Sequence, residues 1–360
     1  MTTVWQAVRT PSPTRTRIVL LYAFLALFTI VAFGLLLTLG SAYPGFVAAG
    51  FLAYTLGLRH AFDADHIAAI DNTTRKLMQD GQRPVAIGFF FSLGHSTIVI
   101  LLSVVLAFSA SVAADIPALQ AIGGLVGTTV SATFLILIGA INLVVLVNIW
   151  HLFREVSQGG QYSNESLEEL LENRGLLARI FRPMLRLVRK SWHMYPVGFL
   201  FGLGFDTASE VALLGLAVAA GGQEIPIACI LVLPALFAAG MMTMDSSDQI
   251  MMLGAYGWAF LKPVRKLYYN LTITFISVVI AFVIGGIEVL SIISRELGLE
   301  GGFWDFINGI DFGVLGVVIV LIFILSWVGS TLLYRWKGYD KLDHPPASPP
   351  STPALSLIHI

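Results

Sequence analysis

A single cysteine, Cys229, stands in 360 residues. One thiol excludes an intrachain disulfide framework and any C-x-x-C site. Charge is scarce as well. Only 12% of residues are Asp, Glu, Lys or Arg, against about 25% in an ordinary soluble domain. No G-x-x-x-x-G-K-[ST] segment occurs, so the chain has no P-loop to cradle ATP phosphates, and no ATPase subunit is implied. There is no H-x-x-x-H box, no H-E-x-x-H and no serine-centred nucleophile motif. The net charge of −1 names no partner, and no nucleic-acid partner is expected.

What the chain does have is apolar length. Hydrophobic residues make up 56% of it, and the mean hydropathy is +0.82. The run from Ile18 to Leu39 holds 22 residues without a charge. That exceeds the roughly 7–15-residue core of a signal peptide and reads as a retained first span. Eight runs can cross about 30 Å of hydrocarbon: 18–39, 43–67, 85–112, 121–149, 194–220, 225–252, 268–290 and 311–334. Long apolar runs without period-2 alternation are expected to be helices. Nineteen Lys and Arg then fall in the tails and even-numbered loops, and only Arg295 falls in the opposite loops. The expected fold is an all-α polytopic membrane protein of eight transmembrane helices, with both termini cytoplasmic.

The chain divides accordingly. Residues 1–17 form a cytoplasmic tail, 18–149 carry spans 1–4, 150–193 form a cytoplasmic loop, 194–334 carry spans 5–8, and 335–360 form a Pro-rich cytoplasmic tail. Within the long loop, Ser166–Glu169 resembles a capping box. Residues 176–190 have the pattern of a basic amphipathic helix.

Polar groups inside the spans carry the functional signal. Span 2 reads RHAFDADHIAAIDN, with Arg59, His60, Asp63, Asp65, His66 and Asp71. Span 3 reads FSLGHSTIVI around His95, span 5 LGFDTASE around Asp206 and Glu210, and span 6 GMMTMDSSDQ around Asp245 and Asp248. Spans 1, 4, 7 and 8 are expected to have essentially no ionisable interior. Ionisable groups at mid-bilayer cost about 2.5–3.5 kcal/mol on insertion scales and usually face a pathway or one another. The expected geometry is therefore an inner set of spans 2, 3, 5 and 6 around one site, with an apolar outer set facing lipid.

Three imidazoles and up to seven carboxylates suit a divalent first-row transition metal. An all-oxygen Mg²⁺ or Ca²⁺ site would not need the imidazoles. The candidate metal residues are His60, Asp63, Asp65, His66, His95, Asp206, Glu210, Asp245 and Asp248. Arg59 precedes Asp63 by four residues and is expected to pair with it. Asp71, beside Asn72, reads as interfacial. The span 6 methionines read as packing rather than as soft ligands. At about 100° per residue, a regular helix cannot aim His60, Asp65 and His66 at one ion. Either the helix is distorted there, or Asp65 acts by orienting a histidine. The competing reading of the acids is a structural hydrogen-bond network.

These four segments resemble the signature segments of the nickel/cobalt transporter (NiCoT) family. The resemblance runs from span 2 to span 6, and the core at His60, Asp65 and His66 is its most specific part. It implies uptake of Ni²⁺ or Co²⁺ across a cytoplasmic membrane, with that core central to metal recognition. The metal would be cargo, and no cofactor is expected. The family pattern in span 6 is commonly D-T-x-D, whereas this chain has Asp245-Ser246-Ser247-Asp248. The hydroxyl is kept, so the departure bears on fine selectivity alone. An exporter of the same metals and a membrane metalloenzyme are the alternative classes. GLRHAFDADHI in span 2 faintly echoes GLGFDTASEV in span 5, which is what an inverted repeat would give; a parallel duplication would instead pair span 2 with span 6.

Overall fold

The computed structural model describes residues 13–40, 43, 45–108, 116–157, 188–204, 213, 216, 219, 226–259 and 263–336. Every regular element among them is helical. The elements are α1 (Pro13–Gly40), α2 (Phe46–His60), α3 (Ala64–Gln79), α4 (Ile87–Phe108), α5 (Ile116–Ser157), a single 3₁₀ turn (Ser191–His193), α6 (Met194–Phe201), α7 (Ile227–Ile230), α8 (Val232–Ala259), α9 (Pro263–Leu297), α10 (Gly302–Asn308) and α11 (Phe312–Trp336). Asp206, Glu210, the capping box at Ser166–Glu169, most of the 176–190 segment and the Pro-rich tail lie outside the described residues.

Four helical stretches are long and apolar enough to cross a membrane unaided: Pro13–Gly40, Ile87–Val105, Ala121–His151 and Leu271–Leu297. A fifth is α10 with α11, taken as one span bent by 75°. Asp311 sits in that bend. Its Oδ1 accepts the Val314 N–H at 3.0 Å, capping α11 as an Asp at this position does. Large side chains such as Leu20, Leu27 and Ile30 on α1 and Leu325 on α11 stand exposed. In water a belt of this size would drive association; against lipid tails it needs no partner.

Span 2 departs from the expected single helix. α2 ends at His60, and Ala61–Asp63 form a turn held by Phe62 N–H to Arg59 O at 3.0 Å and Asp63 N–H to His60 O at 2.9 Å. Asp63 is extended (φ −62°, ψ 139°), and α3 restarts at Ala64. α3 then runs on to Gln79, so Arg75 and Lys76 are not loop residues. Both are buried. Arg75 donates to Ser277 Oγ at 3.2 Å and to Thr274 Oγ1 at 2.9 Å. Lys76 donates to Val188 O and Asp80 Oδ2, each at 2.8 Å. Asp71 is not interfacial either: it is fully buried and accepts from Ser277 Oγ at 2.6 Å. Arg59 reaches Asp311 Oδ2 at 3.4 Å instead of pairing with Asp63, because the turn at Ala61–Asp63 removes the four-residue helical spacing.

The outer set is less apolar than expected. Spans 4 and 7, here α5 and α9, bring Ser131, Asn142, Thr274, Ser277 and Glu288 into the interior. Asn142 Nδ2 donates to Asn72 Oδ1 at 2.7 Å and ties α5 to α3. Buried polar groups need such partners, and each bond fixes one helix against another.

Two of the close helix crossings bring backbones together through a glycine on each helix. In the first, a Cβ at Gly57 of α2 would collide with the Phe237 carbonyl of α8, and one at Gly240 of α8 with the Tyr54 carbonyl of α2. In the second, a Cβ at Gly94 of α4 would collide with the Tyr195 carbonyl of α6, and one at Gly198 of α6 with the Phe91 carbonyl of α4. Span 2 thus crosses span 6 as span 5 crosses span 3, each through reciprocal glycines. An inverted repeat that exchanges spans 2 and 5, and spans 3 and 6, converts one crossing into the other.

Candidate metal site

The break after His60 builds the centre. It places His60 at the end of α2 and His66 in the first turn of α3, with the rings edge to face and their centroids 4.6 Å apart. His95 comes in from α4, with its ring 4.8 Å from His60 and 4.9 Å from His66. All three are buried, and one ring nitrogen from each lies within 4.8 Å of the others. His60 Nε2 and His95 Nε2 are 3.0 Å apart. Nitrogens on opposite sides of an ion bound at about 2.1 Å sit about 4.2 Å apart. Three nitrogens around one ion sit about 3.5 Å apart, so a spread of up to 4.8 Å must contract for them to share it.

Carboxylates stand behind two of the rings. His60 Nδ1 lies 3.0 Å from Asp63 Oδ2, a close charge contact outside hydrogen-bond geometry. His66 Nδ1 lies 3.3 Å from Asp245 Oδ2, which also accepts from Ser92 Oγ at 2.5 Å. A histidine whose one nitrogen is held by a carboxylate has its other nitrogen oriented for a metal. His66 Nε2 accepts or donates no hydrogen bond among the described residues, though fully buried. Leaving such a group unmet costs about 1–3 kcal/mol. Phe91 packs edge-on to His66 at 4.8 Å, and Phe237 lies 5.6 Å from His60. These rings wall the centre on its apolar sides.

The remaining expected residues fall into three groups. Asp65 does not join the ring nitrogens. Its Oδ1 accepts the His66 N–H at 3.0 Å, so it braces the first turn of α3, and its side chain borders the adjoining cavity. Asp248 is buried one turn beyond Asp245 on α8, and neither of its carboxylate oxygens is hydrogen-bonded among the described residues. Asp206 and Glu210 lie outside the described residues. Met241 and Met242 are packed in apolar clusters and are not ligands of this centre.

A cavity of about 330 Å³ reaches the centre, bordered there by His60, Asp63, Asp65 and His95. Buried nitrogen donors with carboxylates beside them and a polar approach have the donor chemistry that a small divalent transition-metal ion takes.

Residues 46–333 match the NicO family, described as "High-affinity nickel-transport protein". The chain belongs to that family. Relatives along nearly the whole chain agree. It is 51% identical over 332 residues to the "High-affinity nickel transport protein" of Cupriavidus necator, covering 91% of this chain and 95% of that one. It is 52% identical over 310 residues to "Nickel transporter NicT" of Mycobacterium tuberculosis, covering 85% and 83%. It is 45% identical over 303 residues to "Cobalt transport protein NhlF" of Rhodococcus rhodochrous, covering 82% and 85%. No solved structure matches the chain. As a member of a nickel and cobalt transport family it is a multi-pass transport protein and not an enzyme, and its metals are substrates.

Two residues beside this cluster, Ser92 and Glu288, stand outside the candidate metal residues of the four motifs. Ser92 stands three positions before His95 in FSLGHSTIVI, on the same helical face, and that spacing was a usable signal. Glu288 is the single acid within 268–290. It is buried in α9 and borders the cavity, contrary to the expectation of an apolar span 7.

Proposed function

We propose that the protein is a secondary transporter that takes up Ni²⁺ or Co²⁺ across the cytoplasmic membrane. The buried imidazole cluster of His60, His66 and His95 would bind the metal in transit. Asp245 orients the His66 ring, Asp63 faces the His60 ring, and Asp65 braces His66. Asp206, Glu210 and Asp248 complete the acid set along the path. The observation that carries this reading is the convergence of three imidazoles from two broken half-helices and α4, two of them backed by carboxylates.

In this reading the chain crosses the bilayer eight times with both termini in the cytoplasm. Residues 1–17, 150–193 and 335–360 are then cytoplasmic, and spans occupy 18–149 and 194–334. With Arg75 and Lys76 set aside as buried in α3, the remaining basic residues of the tails and even-numbered loops still far outnumber Arg295 on the other side and support this orientation. An interior-negative potential drives a dication inward, at about 2.3 kcal/mol per charge per 100 mV. The paired glycine crossings support two inverted halves that rock about the site, as transporters with discontinuous helices do.

The deciding experiment is accumulation of radiolabelled nickel and cobalt by cells expressing His66→Ala at wild-type level. Uptake of both metals is expected to fall at least about tenfold. Normal accumulation would remove the imidazole centre from the pathway, and export from preloaded cells would reverse the direction assigned here.

A further inference from the structure

The cavity beside the imidazoles has a wall that none of the four motifs builds. On α9, Glu288, Ser291 and Arg295 all border it. They are spaced by three and four residues, so they form one stripe along one helical face. Exposure rises along the stripe: Glu288 is 3% exposed, Ser291 is intermediate and Arg295 is exposed. The mouth therefore lies near Arg295 and the exposed Asn308, and Glu288 sits about 10 Å further in along the helix axis. Ser131 of α5 lines the same wall and donates to Glu288 Oε1 at 2.6 Å. His60 and His95 close the inner end.

The donors change along this route. Near the mouth and on the wall they are oxygens: the Glu288 carboxylate, the Ser131 and Ser291 hydroxyls and the Asn308 amide. At the inner end they are imidazole nitrogens. A carboxylate can hold a strongly hydrated divalent ion through its waters or by replacing only one or two of them, whereas a cluster of imidazole nitrogens must replace several. A volume of about 330 Å³, at about 30 Å³ per water, holds an ion with a shell of about six waters. Three acids border the chamber, Asp63, Asp65 and Glu288, against one arginine at its exposed end. The field within favours a cation.

We propose that Glu288, steadied by Ser131, is an outer metal station that receives the hydrated divalent cation before His60, His66 and His95 strip it. The proposal rests on the uptake reading above and adds a second site to it. The rival role for Glu288 is purely mechanical, as a hydrogen-bonded tie between α5 and α9.

The test is initial-rate Ni²⁺ uptake by the full-length protein in proteoliposomes. Glu288→Gln keeps the acceptor for Ser131 and removes the charge. It is expected to raise KM about tenfold while Vmax falls less than about twofold. Glu288→Asp should recover part of the loss, and Ser131→Ala should shift KM the same way by less. An unchanged KM in Glu288→Gln overturns the station, whether or not thermal stability falls. If Glu288→Gln does not fold, Ser131→Ala decides: a wild-type KM there overturns the proposal equally. Calorimetric titration of His66→Ala with Ni²⁺ supplies an independent reading. A weak residual site is expected, and it should vanish in the His66→Ala, Glu288→Gln double variant. Loss of uptake in His66→Ala with a normal KM in Glu288→Gln would defeat this inference alone; normal uptake in His66→Ala would defeat the reading beneath it.

Discussion

Asp245 is the residue on which most of the centre turns. One carboxylate oxygen takes both the His66 ring and the Ser92 hydroxyl, and the other accepts no hydrogen bond among the described residues. Replacing it with Asn keeps an oxygen near His66 but removes the charge that fixes the ring. Asp245→Asn is expected to raise the KM for nickel uptake by about 10–100-fold. Ser92→Ala removes one charge-assisted bond, worth about 1.5–3 kcal/mol, and should shift KM in the same direction by about tenfold or less. Uptake kinetics at matched membrane expression check both, and an unchanged KM in Asp245→Asn would free His66 from this control. The residue types of the site were readable from sequence, since imidazole and carboxylate in a bilayer need a reason to be there. Their partners were not. Asp63 was assigned to Arg59 by helical spacing, and the spacing failed where the helix stops.

At the scale of elements, the decisive event is the turn at Ala61–Asp63. It lets His60 and His66, which a continuous helix would set about 120° apart around its axis and about 9 Å apart along it, converge from two helix ends. Its position is held by the α2–α8 crossing just before it. Gly57→Val would force a side chain into the Phe237 carbonyl. Overpacking of this kind costs about 1–3 kcal/mol. The thermal midpoint in detergent should fall by about 2 °C or more, and uptake should fall with it because His60 is only three residues away. A midpoint equal to wild type would show that α2 and α8 can part without penalty. The apolar lengths of the helices were plain from the sequence. The break was legible only as one of two alternatives, because Ala-Phe-Asp carries no Gly or Pro, and hydropathy alone runs straight through it.

For the whole molecule, the division of labour is between a lipid-facing belt and a polar interior. The belt is carried by α1, α9 and α11, whose large apolar side chains stand exposed. The interior is knit by buried pairs such as Asn72–Asn142 and Arg75–Thr274. If a dication crosses without a compensating charge, transport must respond to voltage. An interior-negative potential of about 100 mV, set by potassium and valinomycin in proteoliposomes, corresponds to about 4.6 kcal/mol for two charges. Nickel accumulation should rise steeply under it and fall when the polarity is reversed. Accumulation indifferent to both would mean that counter-charges move with each metal ion.

Composition and hydropathy by themselves determined that this chain is an all-helical membrane protein, and the clustering of His and Asp in a few spans pointed to a cation. Both follow from local chemistry: apolar side chains seek lipid, and ionisable ones enter it only with work to do. The tertiary structure alone decided which of those groups meet. It brought His95 to His60 and His66 while turning Asp65 to the backbone, buried Asp71, Arg75 and Lys76, and drew Glu288 from an apolar span into the cavity. Those outcomes depend on a helix break and on glycine-to-backbone crossings between segments far apart in the chain, and such contacts leave almost no mark on any single stretch of sequence.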